Sequence, residues 1–151
     1  MKRILSIILM IMMLIPILTF AVSAEEYDGN VIYLEDGGYI VVTVEMEPIW
    51  RSSGTKSGRT TYNYYDSNGV RGWTAALSGT FTYTGSSATC TASSCNVTIY
   101  DSAWYIVSKS AGKSGNTATA NVTMGKKLLG VTVTKVPANL TLTCDANGNL
   151  S

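Results

Sequence analysis

The chain has 151 residues, no histidine, 14% charged residues and a formal net charge of +1. Without histidine the usual base near neutral pH is missing, so no Ser–His or Cys–His catalytic pair can exist, and no nucleic-acid partner is expected. The 19 Thr, 16 Ser and 14 Gly favour sheet over helix.

Residues 1–24 read as a signal peptide. Lys2 and Arg3 start it, an apolar run from Ile4 to Phe20 follows, and Val22-Ser23-Ala24 places small residues before Glu25. The run is short for a membrane span and contains Pro16. No Cys lies near the cleavage point, so a released chain is expected, with no stable membrane insertion after cleavage. Cleavage leaves 127 residues, enough for one domain with a core.

Charge divides what remains. Residues 25–50 hold seven acids and no base, and read as an acidic strand hairpin. Residues 51–151 hold nine bases and three acids, and read as the basic body. A basic surface suits anionic polymers such as wall polymers or lipid head groups. The plainer expectation is that the acidic segment simply lies on the basic body within one fold.

Taken in order, Asn30–Leu34 is a short predicted strand. Asp36-Gly37-Gly38 turns it into Tyr39–Met46. Arg51–Gly58 is the most linker-like stretch. Thr60–Tyr65 is a Tyr-rich strand, closed by Asp66-Ser67-Asn68-Gly69. Trp73 to Tyr83 then alternates strictly. Trp73, Ala75, Leu77, Gly79, Phe81 and Tyr83 share one face, and Thr74, Ala76, Ser78, Thr80 and Thr82 the other. Gly79 breaks the inner row, which suggests a bulge or the close approach of another strand. Ser87–Thr91, Cys95–Tyr100 and Trp104–Ser108 are further short strands, and Ala111–Asn116 is a loop. Thr117–Met124 alternates again, with a hairpin tip at Gly125-Lys126-Lys127. Leu129, Val131 and Val133 form the next inner face, Pro137 separates it from Leu140, Leu142 and Cys144, and Asp145–Ser151 is a polar tail. About ten short strands in one all-β domain point to an immunoglobulin-like antiparallel β-sandwich, with a barrel as the alternative.

Three cysteines in an exported chain suggest one disulfide and a leftover thiol. Cys90, Cys95 and Cys144 all share parity with apolar neighbours, so pattern alone does not choose the pair. A Cys90–Cys144 bridge closes a long loop and stabilises by roughly 4 kcal/mol on the chain-entropy argument. A Cys90–Cys95 bridge only clips a short turn. No Cys-x-x-Cys pair marks redox catalysis.

The run Gly79-Thr80-Phe81-Thr82-Tyr83-Thr84-Gly85 is followed by Ala88-Thr89-Cys90-Thr91, Ile99-Tyr100-Asp101-Ser102-Ala103-Trp104, Lys113-Ser114-Gly115-Asn116-Thr117-Ala118 and Leu142-Thr143-Cys144-Asp145-Ala146-Asn147-Gly148-Asn149. Together they resemble small exported proteins of Gram-positive bacteria, a family with no assigned activity. The resemblance covers most of the chain after Thr60. It implies an exported bacterial β protein, favours Cys90 with Cys144, and transfers no catalytic residue.

Chemical motifs are weak. Glu45 and Glu47 share a strand face roughly 7 Å apart, the spacing of a carboxylate pair, but a solvated face explains them as well. Gly112-Lys113-Ser114 lacks the glycine a phosphate loop needs at Val107, and a strand follows it. Asp66-x-Asn68-Gly69 and Asp145-x-Asn147-Gly148-Asn149 carry one carboxylate each, too few for calcium. Asn96, Asn121 and Asn139 match the glycosylation acceptor pattern without expected use. No metal or other cofactor is expected. Trp50, Tyr62, Tyr64, Tyr65 and Tyr100 are the candidate ligand-binding residues, because flat aromatics on a sheet stack on sugars or on each other. The expected function is a secreted, non-catalytic binding or surface-interaction protein for a cell-wall polymer, a carbohydrate or another protein. The alternative is a secreted antagonist, either a bacteriocin-like toxin or an enzyme inhibitor.

Overall fold

A computed structural model describes residues 24–28, 31–46 and 53–151. The expected leader therefore lies almost wholly outside the described residues, as do Glu47, Trp50 and part of the expected linker. Among the described residues, nine strands form two antiparallel sheets. The larger holds β1 (Ala24–Asp28), β2 (Val31–Leu34), β3 (Tyr39–Met46), β4 (Gly54–Tyr65), β5 (Arg71–Tyr83) and β6 (Ala88–Ile99). The smaller holds β7 (Trp104–Ser114), β8 (Thr117–Leu128) and β9 (Val131–Thr143). In both, neighbours in sequence are neighbours in the sheet.

Alternation decides which faces meet. Trp73, Ala75, Leu77 and Phe81 of β5 are buried against Ala118, Ala120, Val122 and Met124 of β8 and Val136, Ala138, Leu140 and Leu142 of β9. Each fully buried Leu or Val contributes about 1.5–3 kcal/mol. Ala76 departs from its polar-face neighbours and is also buried.

The acidic hairpin is built into the larger sheet. β3 pairs with β4 from Tyr39↔Tyr65 to Met46↔Gly58, and Leu34 and Ile40 join the core.

Several expected boundaries move. Residues 54–58 form the start of β4 rather than a linker. Thr55 and Ser57 face outward there, and Gly58 lets Leu150 and Leu142 approach its backbone. The strands expected around Cys90 and Cys95 merge into β6. Those on either side of Pro137 merge into β9, an edge strand where proline's missing N–H is tolerated. The loop expected over 111–116 shrinks to a tight turn between Ser114 and Thr117. β8 runs past Gly125, which is buried under the Tyr105 ring, and the hairpin turns at Leu129-Gly130. The polar tail folds back, with Leu150 buried and bridged to Cys144.

One aromatic cluster caps the core. Tyr64 stacks on Trp73 at 5.4 Å, and Trp104 meets Tyr64 edge-on at 4.8 Å. Burial, and then the Asp36 carboxylate, push the Tyr64 phenol above its usual range. It stays protonated and donates to Asp36 Oδ2 at 3.3 Å.

Candidate functional site: an outer-face tyrosine ladder

The outer face of the larger sheet carries Thr43, Thr61, Asn63, Thr74, Ser78, Thr80 and Thr98, as the register of β3 to β6 dictates. Across one end of this polar field runs a row of rings. Register sets it, because Tyr33 pairs with Tyr39, Tyr39 with Tyr65, and Tyr65 with Arg71. The Tyr33 and Tyr39 centroids lie 6.4 Å apart, and Tyr39 and Tyr65 stack at 5.2 Å with 14° between their planes. The Arg71 guanidinium then sits 5.4 Å from both the Tyr65 and Tyr100 centroids. The ladder crosses four inter-strand steps, about 20 Å.

Hydrogen bonds lock the cation in place. Arg71 Nη2 donates to the Tyr65 hydroxyl at 2.8 Å and Nε to the same oxygen at 3.3 Å. The Tyr65 contact, and then Tyr100, hold the guanidinium firmly charged. Hydrogen bonds from Thr74 and then Arg71 lower the Tyr100 phenol from its usual value. The groups that hold the Arg71 charge are the two tyrosines rather than a carboxylate. The inner rungs cover one another's faces, so the row offers ring edges, hydroxyls and one positive charge held between two tyrosines.

The five aromatic candidates separate. Tyr65 and Tyr100 stand in the ladder, joined through Arg71. Tyr64 points inward and is buried in the aromatic cluster, away from the ladder. Tyr62 also faces inward and donates to the Asn139 carbonyl at 3.1 Å, a packing role. Trp50 lies outside the described residues. Tyr33, Tyr39 and Arg71 belong to the site although sequence reasoning missed them. The available signal was parity, since Tyr64 and Tyr65 must face opposite ways.

Glu45 lines an open concavity of about 440 Å³ with Ser57, Arg59, Ser78 and Thr80, below the ladder on the same face. No second described carboxylate lines it, and Glu47 is not described. Gly112-Lys113-Ser114 lies within β7, and Asn96, Asn121 and Asn139 are exposed on strands. No group of three or more potential metal ligands occurs among the described residues.

Cys90, Cys95 and Cys144 are free thiols, so the expected Cys90–Cys144 bridge is not formed. Each buried sulfur has its own acceptor: Cys90 Sγ donates to the Ala92 carbonyl at 3.3 Å and Cys144 Sγ to the Asp145 carbonyl at 3.4 Å. Burial raises all three thiols above the usual value, which lowers their reactivity.

The calcium-like fragments are turns. Asp66 Oδ1 accepts from the Asn68 and Val70 amides, both at 2.9 Å. Asp145 Oδ1 accepts from the Asn147 and Asn149 amides, and Oδ2 from the Asn149 side chain. The Val70 amide, above all, lowers the Asp66 carboxyl, and the Asn149 side chain that of Asp145. A folded value below the unfolded one contributes stability above the ordinary range near pH 4, which is lost as pH falls further. Asp145→Ala should therefore lower the melting temperature at pH 7. Its deficit against the wild-type protein should shrink as pH is taken down from about 4. A deficit independent of pH would remove the carboxylate from the explanation.

No protein-family model, curated protein or solved structure matches the chain.

Proposed function

We propose that this chain is a small, exported, non-catalytic β-sandwich protein that binds an extended anionic polymer of the cell envelope along the tyrosine ladder. The observation carrying this reading is the Tyr33–Tyr39–Tyr65–Arg71–Tyr100 row. It is a continuous surface with hydroxyls along its length and a cation fixed between two of its rings. Tyr and Arg side chains held in this way carry binding energy at low ordering cost. A polymer with carboxylates or phosphates along a polyol backbone supplies the matching acceptors. The leader-like start of the sequence and the resemblance to exported Gram-positive proteins support export and bacterial origin. The immunoglobulin-like wiring finds no support in sheets that run in sequence order, since that wiring requires Greek-key connections.

Co-sedimentation with isolated cell walls tests the proposal. The protein should be retained at low salt and released as salt rises. Arg71→Ala should weaken retention about tenfold, a loss typical of a well-placed anchor. Walls stripped of their anionic polymers should lose the protein. Retention by stripped walls would assign the ladder to neutral carbohydrate, and no retention on any envelope fraction would overturn the reading.

A further inference from the structure

The β8–β9 hairpin ends in a turn that folding alone does not explain. Leu129 and Gly130 have φ of 51° and 82°, the geometry of a two-residue primed turn. Asn-Gly or Asp-Gly suits such a turn, whereas a bulky side chain is disfavoured in the left-handed region. The leucine here is 97% exposed, so it gains nothing from the core. Leu128 at 64% and Val131 at 66% flank it, and Val133 continues the exposed apolar surface. A side chain disfavoured both by its backbone and by water marks a contact surface.

The charges around the tip have one sign. Between Met124 and Val136 the hairpin carries Lys126, Lys127 and Lys135 and no acid. Asp66, in the turn between β4 and β5, is the acid whose carboxylate senses Lys126. Lys127 Nζ lies 4.7 Å from the Tyr105 ring centroid, and Lys126 Nζ 5.6 Å from that of Trp104. The Tyr105 hydroxyl bonds Thr132 Oγ1 at 2.6 Å, tying β7 to β9 below the tip. From the tip downward the order is leucine, lysine, aromatic ring. Leucine ahead of lysine matches the outer layers of a lipid interface, the acyl boundary and then the anionic phosphates, while the Trp104 ring stays buried in the core behind them.

We propose that the β8–β9 tip docks the protein peripherally on an anionic lipid surface. Leu128 and Leu129 enter the boundary below the headgroups, and Lys126 and Lys127 meet the lipid phosphates. The site is separate from the ladder and does not depend on polymer binding there.

The full chain carrying Leu129→Trp tests this by fluorescence, with the unsubstituted protein as baseline. The probes are phosphatidylcholine vesicles with and without phosphatidylglycerol, and matching vesicles with brominated acyl chains. With the anionic vesicles the introduced indole should blue-shift and be quenched by the brominated chains. The readout sits at the tip, so lipid contact by residues 1–24 does not register in it. Adding Lys126→Gln and Lys127→Gln should raise the lipid needed for half-quenching by up to roughly thirtyfold, and salt should act in the same direction. An indole that keeps its water-exposed emission with every vesicle would overturn the proposal and leave the tip to a protein partner. Equal quenching by zwitterionic and anionic vesicles would overturn the assignment to anionic lipid.

Discussion

Trp73→Ala should cost about 3–5 kcal/mol, enough to take a domain of ordinary stability to the edge of unfolding. Trp73 is wholly buried, lies flat on Tyr64 with 5° between the planes, and meets Trp104 edge-on at 6.2 Å. Truncation would leave a cavity at the point where β4, β5 and β7 meet. The indole also carries a cost, because Nε1 is buried without a hydrogen-bond partner. An orphaned donor of that kind costs about 1–3 kcal/mol. Trp73→Phe removes the orphan and keeps a ring, so its loss should be only about 1–2 kcal/mol. Phe81→Ala lies about 26 Å along the same strand, and its effect should add to that of Trp73→Ala. Urea unfolding of the single and double variants measures this. A doubly substituted protein that stays folded would place the Trp73 row on the surface and return it to the list of binding candidates.

The sequence was most legible where one face is apolar and the other polar. The β5 alternation predicted the buried row from Trp73 to Tyr83, and the same parity placed Cys90 and Cys144 inside. It was least legible where a sheet face and a loop share one composition. Gly54–Gly58 reads as a linker because its outward residues are Thr and Ser, while Gly58 leaves room for Leu150 and Leu142. The ladder was half legible for a related reason. Tyr65 and Tyr100 were visible as aromatics, but their joining through Arg71 depends on register between strands. Register follows from turns and packing partners rather than from any one segment. The inward placement of Tyr64 was hard to read because the polar residues around it do not label its face. Only its pairing with Ile40 and Trp73 does.

Substitution at Gly79 should be damaging even when it adds a single methyl group. A Cβ there would stand 2.7 and 2.8 Å from two atoms of the Phe81 ring and 3.1 Å from the Ala118 Cβ in the opposing sheet. Both neighbours are fully buried, so neither can swing into solvent. The break in the inner row is therefore a close approach between sheets. Gly79→Ala should cost about 1–3 kcal/mol through overpacking, more than the roughly 0.4–1 kcal/mol gained by stiffening the unfolded chain. Gly79→Val should cost more again. Phe81→Leu in the Gly79→Ala background should recover part of the loss, giving a coupling that a double-mutant cycle resolves. Gly115→Ala is the contrast: nothing lies within 4 Å and only its φ of 53° opposes the change, so the cost should stay near 1 kcal/mol. Ser78 and Thr80 flank Gly79 on the outer face and line the concavity that holds Glu45. A bulkier residue at 79 must push β5 outward, so it should also alter that concavity. If Gly79→Ala melts with the wild-type protein, the two sheets stand further apart at this level than the Phe81 and Ala118 contacts require.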